Sequence, residues 1–292
     1  MQASPPIETP FRRAHQDHWL VRGGLTVITL GIIGVLIVVP VVSVFAQALS
    51  KGLGTYVHNL FGDPDTRHSI LMTATVAPVA VAMNLVFGVA AAWCVARFQF
   101  TGRTLLITLI DLPFSVSPVV AGLVFVLLFG AQGYFGPWLR EHGFQVIFAP
   151  PGLLLATAFV TFPFVARELI PVLEAIGPEE ELAARSLGAS GWQMFWRVTL
   201  PNIKWGVLYG VILCNARAMG EFGAVYVVSG RITGQTDTMP LRVEKLNQEY
   251  NSPASFALAS ALTLLALVTL FVKVGIERQA RPRVAKPEGV EA

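Results

Sequence analysis

Residues 178–201, PEEELAARSLGASGWQMFWRVTLP, form a polar island between two long apolar stretches. Pro178 suits the first turn of a helix, and the three glutamates that follow it suit the positive end of the helix dipole. Gly188 is placed to end that helix in a left-handed C-cap. Ser190 can cap a second short helix, whose far end Pro201 limits. The pattern predicts a helix, a glycine corner and a second helix.

The second of these helices carries a cluster of aromatic side chains. Trp192, Phe195 and Trp196 are spaced at i, i+3 and i+4, so they share one face of the helix. A structured polar loop between apolar stretches is useful only if something outside the membrane binds it. We therefore expect this face to dock into a cleft of a partner. The alternative is an interfacial aromatic belt, because Trp favours the headgroup zone.

The composition identifies an integral membrane protein. Hydrophobic residues make up 54% of the chain and charged residues only 13%, whereas soluble domains are about 25% charged. A helix needs about 20 apolar residues to cross the hydrocarbon core. Six runs approach or exceed this length, centred on 24–47, 70–96, 104–130, 152–172, 205–229 and 254–274. We predict an all-α membrane protein with six transmembrane helices over 20–277 and tails at 1–19 and 278–292.

The distribution of Lys and Arg orients these spans. With the N-terminus inside and alternate loops on opposite sides, 14 of the 21 Lys and Arg residues fall inside and 6 outside. An excess of this kind is typical of cytoplasmic loops. Both tails and the polar island are therefore expected in the cytoplasm, and the first span is expected to be an uncleaved helix. This topology explains the basic tails without a nucleic-acid partner.

Residues typical of thiol and metal chemistry are few. Cys94 and Cys214, the two cysteines, lie within apolar runs and are interpreted as small buried hydrophobic residues. The five histidines lie outside the spans, and none has metal-ligand spacing with another ligand. We therefore expect neither a disulfide framework nor a metal site.

Two charged residues inside the fifth run are candidates for the interior of the protein. A charge at the bilayer centre costs at least about 2.5–3.5 kcal/mol, but Arg217 and Glu221 are four residues apart and can form an ion pair. Asn215 lies nearby as a neutral donor. The pair is either a structural lock between helix turns or a pore-lining gate that contacts anions.

The third run, LLITLIDLPFSVSPVVAGL, combines a carboxylate, two prolines and two serines. Asp111 is a candidate for the pathway, with an interfacial carboxylate or a helix N-cap as the alternative. Ser115 and Ser117 can line the same pathway or bond the carbonyl four residues earlier. Farther along the chain, residues 229–253 join the last two spans and carry six charges. We expect that segment to be solvated and available to a partner.

The polar island resembles the cytoplasmic signature of binding-protein-dependent ABC importer permeases. That signature is Glu-Ala-Ala, three residues, Gly, and about a dozen residues to Leu-Pro. The matching positions here are Ala183, Ala184, Gly188, Leu200 and Pro201. Aligning on Gly188 places Leu182 where the family has its glutamate, and Glu181 stands one residue earlier, about 100° around the helix.

Other stretches resemble a smaller group within these permeases. DLPFSVSPVVAGLVFVLLFG (111–130), the segment 186–230 and TMPLRVE (238–244) are similar to sulfate/thiosulfate permeases, most of all to CysW-type subunits. Molybdate and tungstate permeases share the general layout and are the alternative. The resemblance implies the type I ABC importer permease fold in a bacterial inner membrane. It also implies ATPase coupling through the island, by Glu181, Ala183, Ala184, Gly188, Trp192, Phe195, Trp196, Leu200 and Pro201.

The same resemblance implies an assembly. A homologous CysT-type permease subunit would complete the pore, and a periplasmic sulfate/thiosulfate-binding protein would deliver the anion. A dimer of cytoplasmic ATPases would bind ATP and Mg, because this chain has no GxxxxGK[ST] loop and is therefore expected to be neither an enzyme nor a cofactor carrier. A protein of a different class, a stand-alone secondary anion transporter, would need no helical docking element.

Overall fold

The structure, a computed structural model, describes residues 19–280, and the predicted tails lie almost wholly outside them. Every regular element in that range is a helix. The helices are α1 Trp19–Ile33, α2 Val39–Leu49, α3 Leu53–Phe61, α4 Pro64–Arg97, α5 Arg103–Ser115, α6 Pro118–Phe129, α7 Gly136–Glu141, α8 Pro150–Ile176, α9 Glu179–Ser186, α10 Gly191–Met194, α11 Leu200–Met219, α12 Gly223–Ser229, α13 Met239–Gln248 and α14 Ser252–Ala280.

Among residues 19–280, four candidate spans are continuous helices and two are bent helix pairs, which we call the interrupted spans. The continuous spans are Gly23–Leu49, Pro64–Arg97, Pro150–Ile176 and Ser252–Gly275. Helices α5 and α6 meet at an angle of 109°, and the helix Gly191–Met219 meets α12 at 53°. Counted as one span each, the bent pairs bring the total to the predicted six. The all-α membrane fold is thus confirmed, but the third run is two helices in different directions.

Two π-helical segments show how prolines are accommodated within helices. Gly34–Val38 and Phe195–Thr199 each end two residues before a proline, Pro40 and Pro201. A proline cannot donate to the carbonyl one turn earlier, and a wider turn redistributes the remaining bonds. The Leu200 N–H accordingly donates to the Phe195 carbonyl, five residues back. The prediction that Pro201 ends a short helix is therefore wrong, because one helix continues from α10 through α11.

Small residues let three central spans approach closely. A Cβ at Gly88 of α4 would lie 2.8 Å from Val165 of α8, and one at Gly206 of α11 would lie 3.2 Å from Leu169 of α8. Such contacts are typical of membrane helices, where association depends on close packing. Asn84, buried within α4, donates to the Ala158 carbonyl of α8 at 3.0 Å. Helices α4, α8 and α11 therefore form the core of the domain.

The two interrupted spans pack against each other beyond their breaks. A Cβ at Gly122 of α6 would lie 2.8 Å from the Ala224 carbonyl oxygen of α12. A Cβ at Gly223 would lie 3.0 Å from Pro118, so the first residues of α6 and α12 are in contact. Non-helical backbone at membrane depth is tolerated where protein covers it. Each break is therefore covered in part by the other.

The segment 229–253 differs from the prediction. Its helix α13 buries Leu241 and Leu246, and Leu246 joins a cluster with Leu258 of α14. Arg242 is also buried and bonds Asp63 Oδ2 at 2.9 Å. The charges that predicted a solvated segment are largely satisfied inside the protein. The expectation of a solvated connection is thus wrong for this helix.

The contact between α6 and α12 can be tested at Gly122. Alanine there would place a methyl group against a backbone carbonyl, and overpacking of this kind costs about 1–3 kcal/mol. We expect Gly122→Ala to unfold at lower temperature than the wild type in detergent, followed by tryptophan fluorescence.

The matched control for that substitution is Gly31→Ala. Gly31 lies in α1, and a Cβ there would have no neighbour within 4 Å. The control should unfold at or slightly above the wild-type temperature, because alanine is the better helix former. Equal losses in both variants would contradict the packing described for α6 and α12.

Candidate functional site: a helical hairpin and two interrupted spans

Helices α9 and α10 form the predicted hairpin around a glycine. Gly188 has φ +86°, the left-handed region that favours glycine. Its N–H donates to the Arg185 carbonyl at 2.9 Å, and the Ala189 N–H donates to the Ala184 carbonyl at 3.0 Å. These two bonds are the Schellman arrangement that ends a helix. The predicted C-cap at Gly188 is confirmed.

A capping box starts the second arm of the hairpin. The Gln193 N–H donates to Ser190 Oγ at 3.3 Å, and the Ser190 N–H donates to Gln193 Oε1 at 3.0 Å. The predicted cap at Ser190 is confirmed, and the box satisfies two amides that would otherwise lack partners. Both ends of the corner are therefore held by local hydrogen bonds.

Glu181 faces the bundle and not the outside of the hairpin. It is 8% exposed, and its Oε2 lies 3.0 Å from Arg97 Nε. Its Oε1 accepts a hydrogen bond of 2.8 Å from Thr199 Oγ1. Arg97 also donates to the carbonyls of Leu173 and Gly177, at the end of α8. This cluster joins α4, α8 and both arms of the hairpin. Sequence reasoning missed Arg97, whose only signal was its place at the end of an apolar run.

Four large apolar side chains of the hairpin are exposed. Trp192 is 72% exposed and Trp196 is 50% exposed, whereas Phe195 packs on Trp93 of α4 with 5.5 Å between ring centroids. The exposed part of the predicted aromatic face therefore consists of the two tryptophans, and Phe195 packs beneath them on the bundle. We call the exposed set Leu182, Leu187, Trp192 and Trp196 the hairpin face.

The other predicted coupling residues lie around this face. Ala183 and Pro201 are exposed, and Ala184 and Leu200 are partly buried. Leu182 occupies the outward position that the sequence alignment assigned to the signature glutamate. The replacement therefore puts an apolar group on the hairpin face, while the neighbouring carboxylate of Glu181 points inward.

The predicted ion pair in the fifth span is present. Arg217 Nη1 lies 2.7 Å from Glu221 Oε2, with Glu221 1% exposed and Arg217 35% exposed at their side chains. Glu221 Oε1 also accepts a hydrogen bond of 3.1 Å from the Ala224 N–H. Glu221 therefore holds the first turn of α12 to the last turn of α11 across the 53° bend. Asn215 Nδ2 lies 3.5 Å from Met219 Sδ in that last turn.

Asp111 has a partner that the sequence did not reveal. Its Oδ1 and Oδ2 accept from Arg167 Nε at 2.6 Å and from Arg167 Nη2 at 2.8 Å. Arg167 is one of the 14 basic residues that the charge distribution places inside, but it lies nine residues before the end of α8. Asp111 is the ninth residue of α5, so the N-cap alternative is wrong.

Ser115 and Ser117 stand on either side of the first break. Ser115 is the last residue of α5, Ser117 immediately precedes α6, and both are exposed. Pro118 contacts Gly223, two residues after Glu221, so the structure brings Ser117 near the second break. The predicted pathway residues therefore cluster around two adjacent breaks, with Asp111 just over one helical turn before the first of them.

On the side of the bundle opposite the hairpin, Asp63 joins α13 to α4. Burial raises the pKa of its carboxyl, but hydrogen bonds from Thr66, Arg242 and the Asp65 N–H outweigh that effect. The pKa of Asp63 is therefore below its ordinary value of 3.8. The same carboxylate caps α4 by accepting from the N–H groups of Asp65 and Thr66.

Comparison with known proteins agrees with this architecture. The family model of the binding-protein-dependent transport system inner membrane component matches residues 84–282. The chain is 57% identical over 238 residues to the sulfate transport system permease protein CysW of Escherichia coli strain K12, covering 82% of this chain and 81% of that protein. It is 41% identical over 209 residues to the CysT protein of the same strain, covering 72% and 76% respectively.

A solved structure shows a similar fold. It is the crystal structure of a bacterial alginate ABC transporter in complex with an alginate pentasaccharide-bound periplasmic protein. One chain of it matches with a TM-score of 0.69 at 20% identity, covering 90% of this chain and 94% of that chain. The predicted ABC importer permease fold is confirmed.

The role of Glu221 can be measured through stability. Glu221→Ala removes the partner of Arg217 and the acceptor of the Ala224 N–H, and breaking a buried pair costs roughly 3–5 kcal/mol. We take this as an upper bound because Arg217 is partly exposed. Glu221→Gln keeps an acceptor for the amide and should unfold between Glu221→Ala and the wild type. Wild-type stability for Glu221→Ala would contradict the bond across the bend.

Asp63 should make the free energy of unfolding depend on pH in the acidic range. A carboxyl with a lowered folded-state pKa stabilises the fold above its unfolded pKa, and that contribution is lost as the pH falls through the lower folded value. We expect wild type to be more stable than Asp63→Asn at pH 7 and the difference to shrink below about pH 4. Thermal unfolding of both proteins from pH 3 to 7 checks this, and a pH-independent difference would contradict it.

Proposed function

This chain belongs to the binding-protein-dependent transport system inner membrane component family, and we propose that it is a permease subunit of an ATP-driven importer of sulfate and thiosulfate. The high identity to a protein named as a sulfate permease over most of both chains supports the substrate class. Molybdate is the alternative, since it is also a tetrahedral divalent oxyanion. In this proposal the chain is not itself an enzyme, and a separate subunit hydrolyses ATP.

The observation that carries the proposal is the rigid hairpin. Its corner is held by the bonds at Gly188 and Ser190, and its arms are tied to the bundle through Glu181. A rigid element transmits displacement, whereas a flexible loop would absorb it. The hairpin face presents two exposed tryptophans to the outside, and large aromatic residues are common anchors in protein interfaces. A secondary transporter acting alone would have no use for such an element.

We place the hairpin and both termini in the cytoplasm, on the basis of the excess of Lys and Arg in those segments. A dimer of ATPase subunits would bind the hairpin face there and hold ATP and Mg. A homologous CysT-type subunit would complete the pore, in line with the similarity of this chain to a CysT protein. A periplasmic sulfate/thiosulfate-binding protein would dock on the opposite side.

The anion would pass the two interrupted spans. Breaks at membrane depth expose backbone and hydroxyl groups that can donate to an oxyanion. The charges nearby are neutralised in pairs, Arg217 with Glu221 and Arg167 with Asp111. A neutral site with many donors suits transport, because a dianion held by an unpaired cation would be released slowly.

Reconstitution tests the proposal directly. The chain would be placed in proteoliposomes with a CysT-type subunit, the ATPase and the binding protein, and uptake of labelled sulfate would be measured with and without ATP. We expect ATP-dependent uptake that thiosulfate reduces more strongly than molybdate does. Full uptake by this chain alone would contradict the proposal, and stronger competition by molybdate would favour the alternative substrate.

Trp196→Ala should uncouple transport from ATP hydrolysis. Loss of a central aromatic anchor costs at least about 2 kcal/mol of binding, so we expect transport to fall at least tenfold while membrane insertion is unchanged. Trp138→Ala is the control, because Trp138 is also exposed but lies in α7, outside the hairpin. Wild-type transport by Trp196→Ala would contradict docking and favour an interfacial belt.

A further inference from the structure

Helices α5 and α8 run antiparallel and are linked by a ladder of paired side chains. Nearest the hairpin side, Arg103 Nη2 bonds Glu174 Oε1 at 3.2 Å. Deeper in the bundle comes the ion pair of Asp111 and Arg167. Beyond it the two helices meet through aromatic rings, close to the break that separates α5 from α6.

The second rung of this ladder lies within two candidate spans. Arg167 precedes the end of α8 at Ile176 by nine residues, which is about 13 Å along a helix axis. Asp111 follows the start of α5 by eight residues, about 12 Å. Both α5–α6 and α8 are apolar enough to cross a membrane. The pair therefore lies more than two helical turns inside the hairpin-side ends of both helices, where the uncharged part of α8 gives way to its charged end.

The Arg167 side chain is nevertheless exposed on the surface of the chain. It is 58% exposed, compared with 31% for Arg103 and 35% for Arg217. An exposed guanidinium against lipid tails would be costly, and charged side chains within transmembrane segments almost always face a bundle interior or a water-filled cavity. The face of α5 and α8 around Arg167 is thus directed at water or another polar surface.

The geometry of the pair leaves part of the guanidinium available. Asp111 accepts from Nε and Nη2, along one edge of the group. Within residues 19–280, Nη1 has no hydrogen-bond partner. The guanidinium also lies over the Phe114 ring, 5.7 Å from its centroid, which keeps it in place. A planar guanidinium held along one edge can offer its other donors to an oxyanion.

We propose that Arg167 contacts the transported oxyanion in the half of the pathway nearer the hairpin, and that Asp111 limits how tightly it binds. This inference rests on the proposed function and adds a residue to the pathway that sequence reasoning did not include. Arg167 supplies a donor fork that matches a tetrahedral oxyanion. Asp111 keeps the pair neutral, so the anion meets donors without an unpaired positive charge and leaves readily.

Transport kinetics separate this role from a structural one. Replacing both members, Arg167→Gln with Asp111→Asn, removes the donor fork while leaving neither charge of the pair without its partner. We expect maximal uptake to fall roughly tenfold or more, the usual effect of losing a hydrogen bond to a charged group. Asp111→Asn alone should lower the apparent KM for uptake and also lower the maximal rate, because Arg167 then retains the anion.

The matched control is the outer rung of the same ladder. Arg103→Gln with Glu174→Gln neutralises an exposed pair between the same two helices and should leave the KM and the maximal rate unchanged. Wild-type kinetics in the Arg167→Gln, Asp111→Asn variant would overturn the proposal. An equal loss in the control pair would also overturn it, since the effect would then come from the contact between α5 and α8.

Accessibility gives a readout that does not depend on transport. With Cys94 and Cys214 replaced by alanine, Arg167→Cys in the Asp111→Asn background would be treated with a negatively charged methanethiosulfonate reagent. We expect reaction in the assembled importer, either without nucleotide or during ATP hydrolysis. Glu174→Cys should react in both conditions, and Val27→Cys, exposed on α1, should react in neither.

The accessibility result also separates the two proposals. No reaction at residue 167 in either condition would place it against lipid or another subunit and would overturn its pathway role. Reaction at residue 167, together with no sulfate uptake by the assembly that contains the wild-type chain, would leave the pathway role intact and contradict the proposed substrate instead.

Discussion

The structure depends on one constraint, that backbone polar groups inside a membrane need partners from the protein or from enclosed water. This chain interrupts two of its spans, at Val116–Ser117 and at Gly220–Phe222. The interruptions are sustainable because α6 and α12 pack on each other, with glycines allowing backbone contact. Glu221 adds a side-chain acceptor for an amide at the start of α12. The helical bundle around them provides the scaffold, and the breaks provide polar groups at a depth where helices would offer none.

Ion pairs between helices are the second feature that stabilises the fold. Arg97 with Glu181 is buried and ties the hairpin to the bundle, and Arg217 with Glu221 stabilises the bend between α11 and α12. Arg167 with Asp111 lies inside two candidate spans but is more exposed, because 58% of the Arg167 side chain is accessible. The buried pairs hold helices together, whereas the exposed guanidinium of Arg167 can, under the proposed pathway role, meet a solute. Because these charges are paired, they leave no unpaired positive charge that would bind an anion tightly. This suits a protein that must release what it binds.

The hairpin and the pathway are mechanically connected. One helix continues from Gly191 in the hairpin to Met219 at the second break, about 42 Å along its axis. The π-helical segment before Pro201 preserves this continuity where the sequence favoured an end. Under the proposed function, a displacement of the hairpin by the ATPase would reach Arg217 and Glu221 through a single rigid element. Helices α4 and α8, linked to the hairpin through Arg97, would carry the same displacement toward α5.

The sequence by itself determined the features that depend on near neighbours. Six apolar runs predicted six spans, the capping residues around Gly188 predicted the hairpin, and the i, i+4 spacing predicted the pair of Arg217 and Glu221. Only the tertiary structure decided the partner of Asp111, which is 56 residues away, and the inward direction of Glu181. It also decided the turn of α6 away from α5 and the burial of α13. The physical reason is the separation of the contacting residues along the chain. Periodicity and capping depend on bonds between residues within about one helical turn. The other contacts depend on which helices pack together.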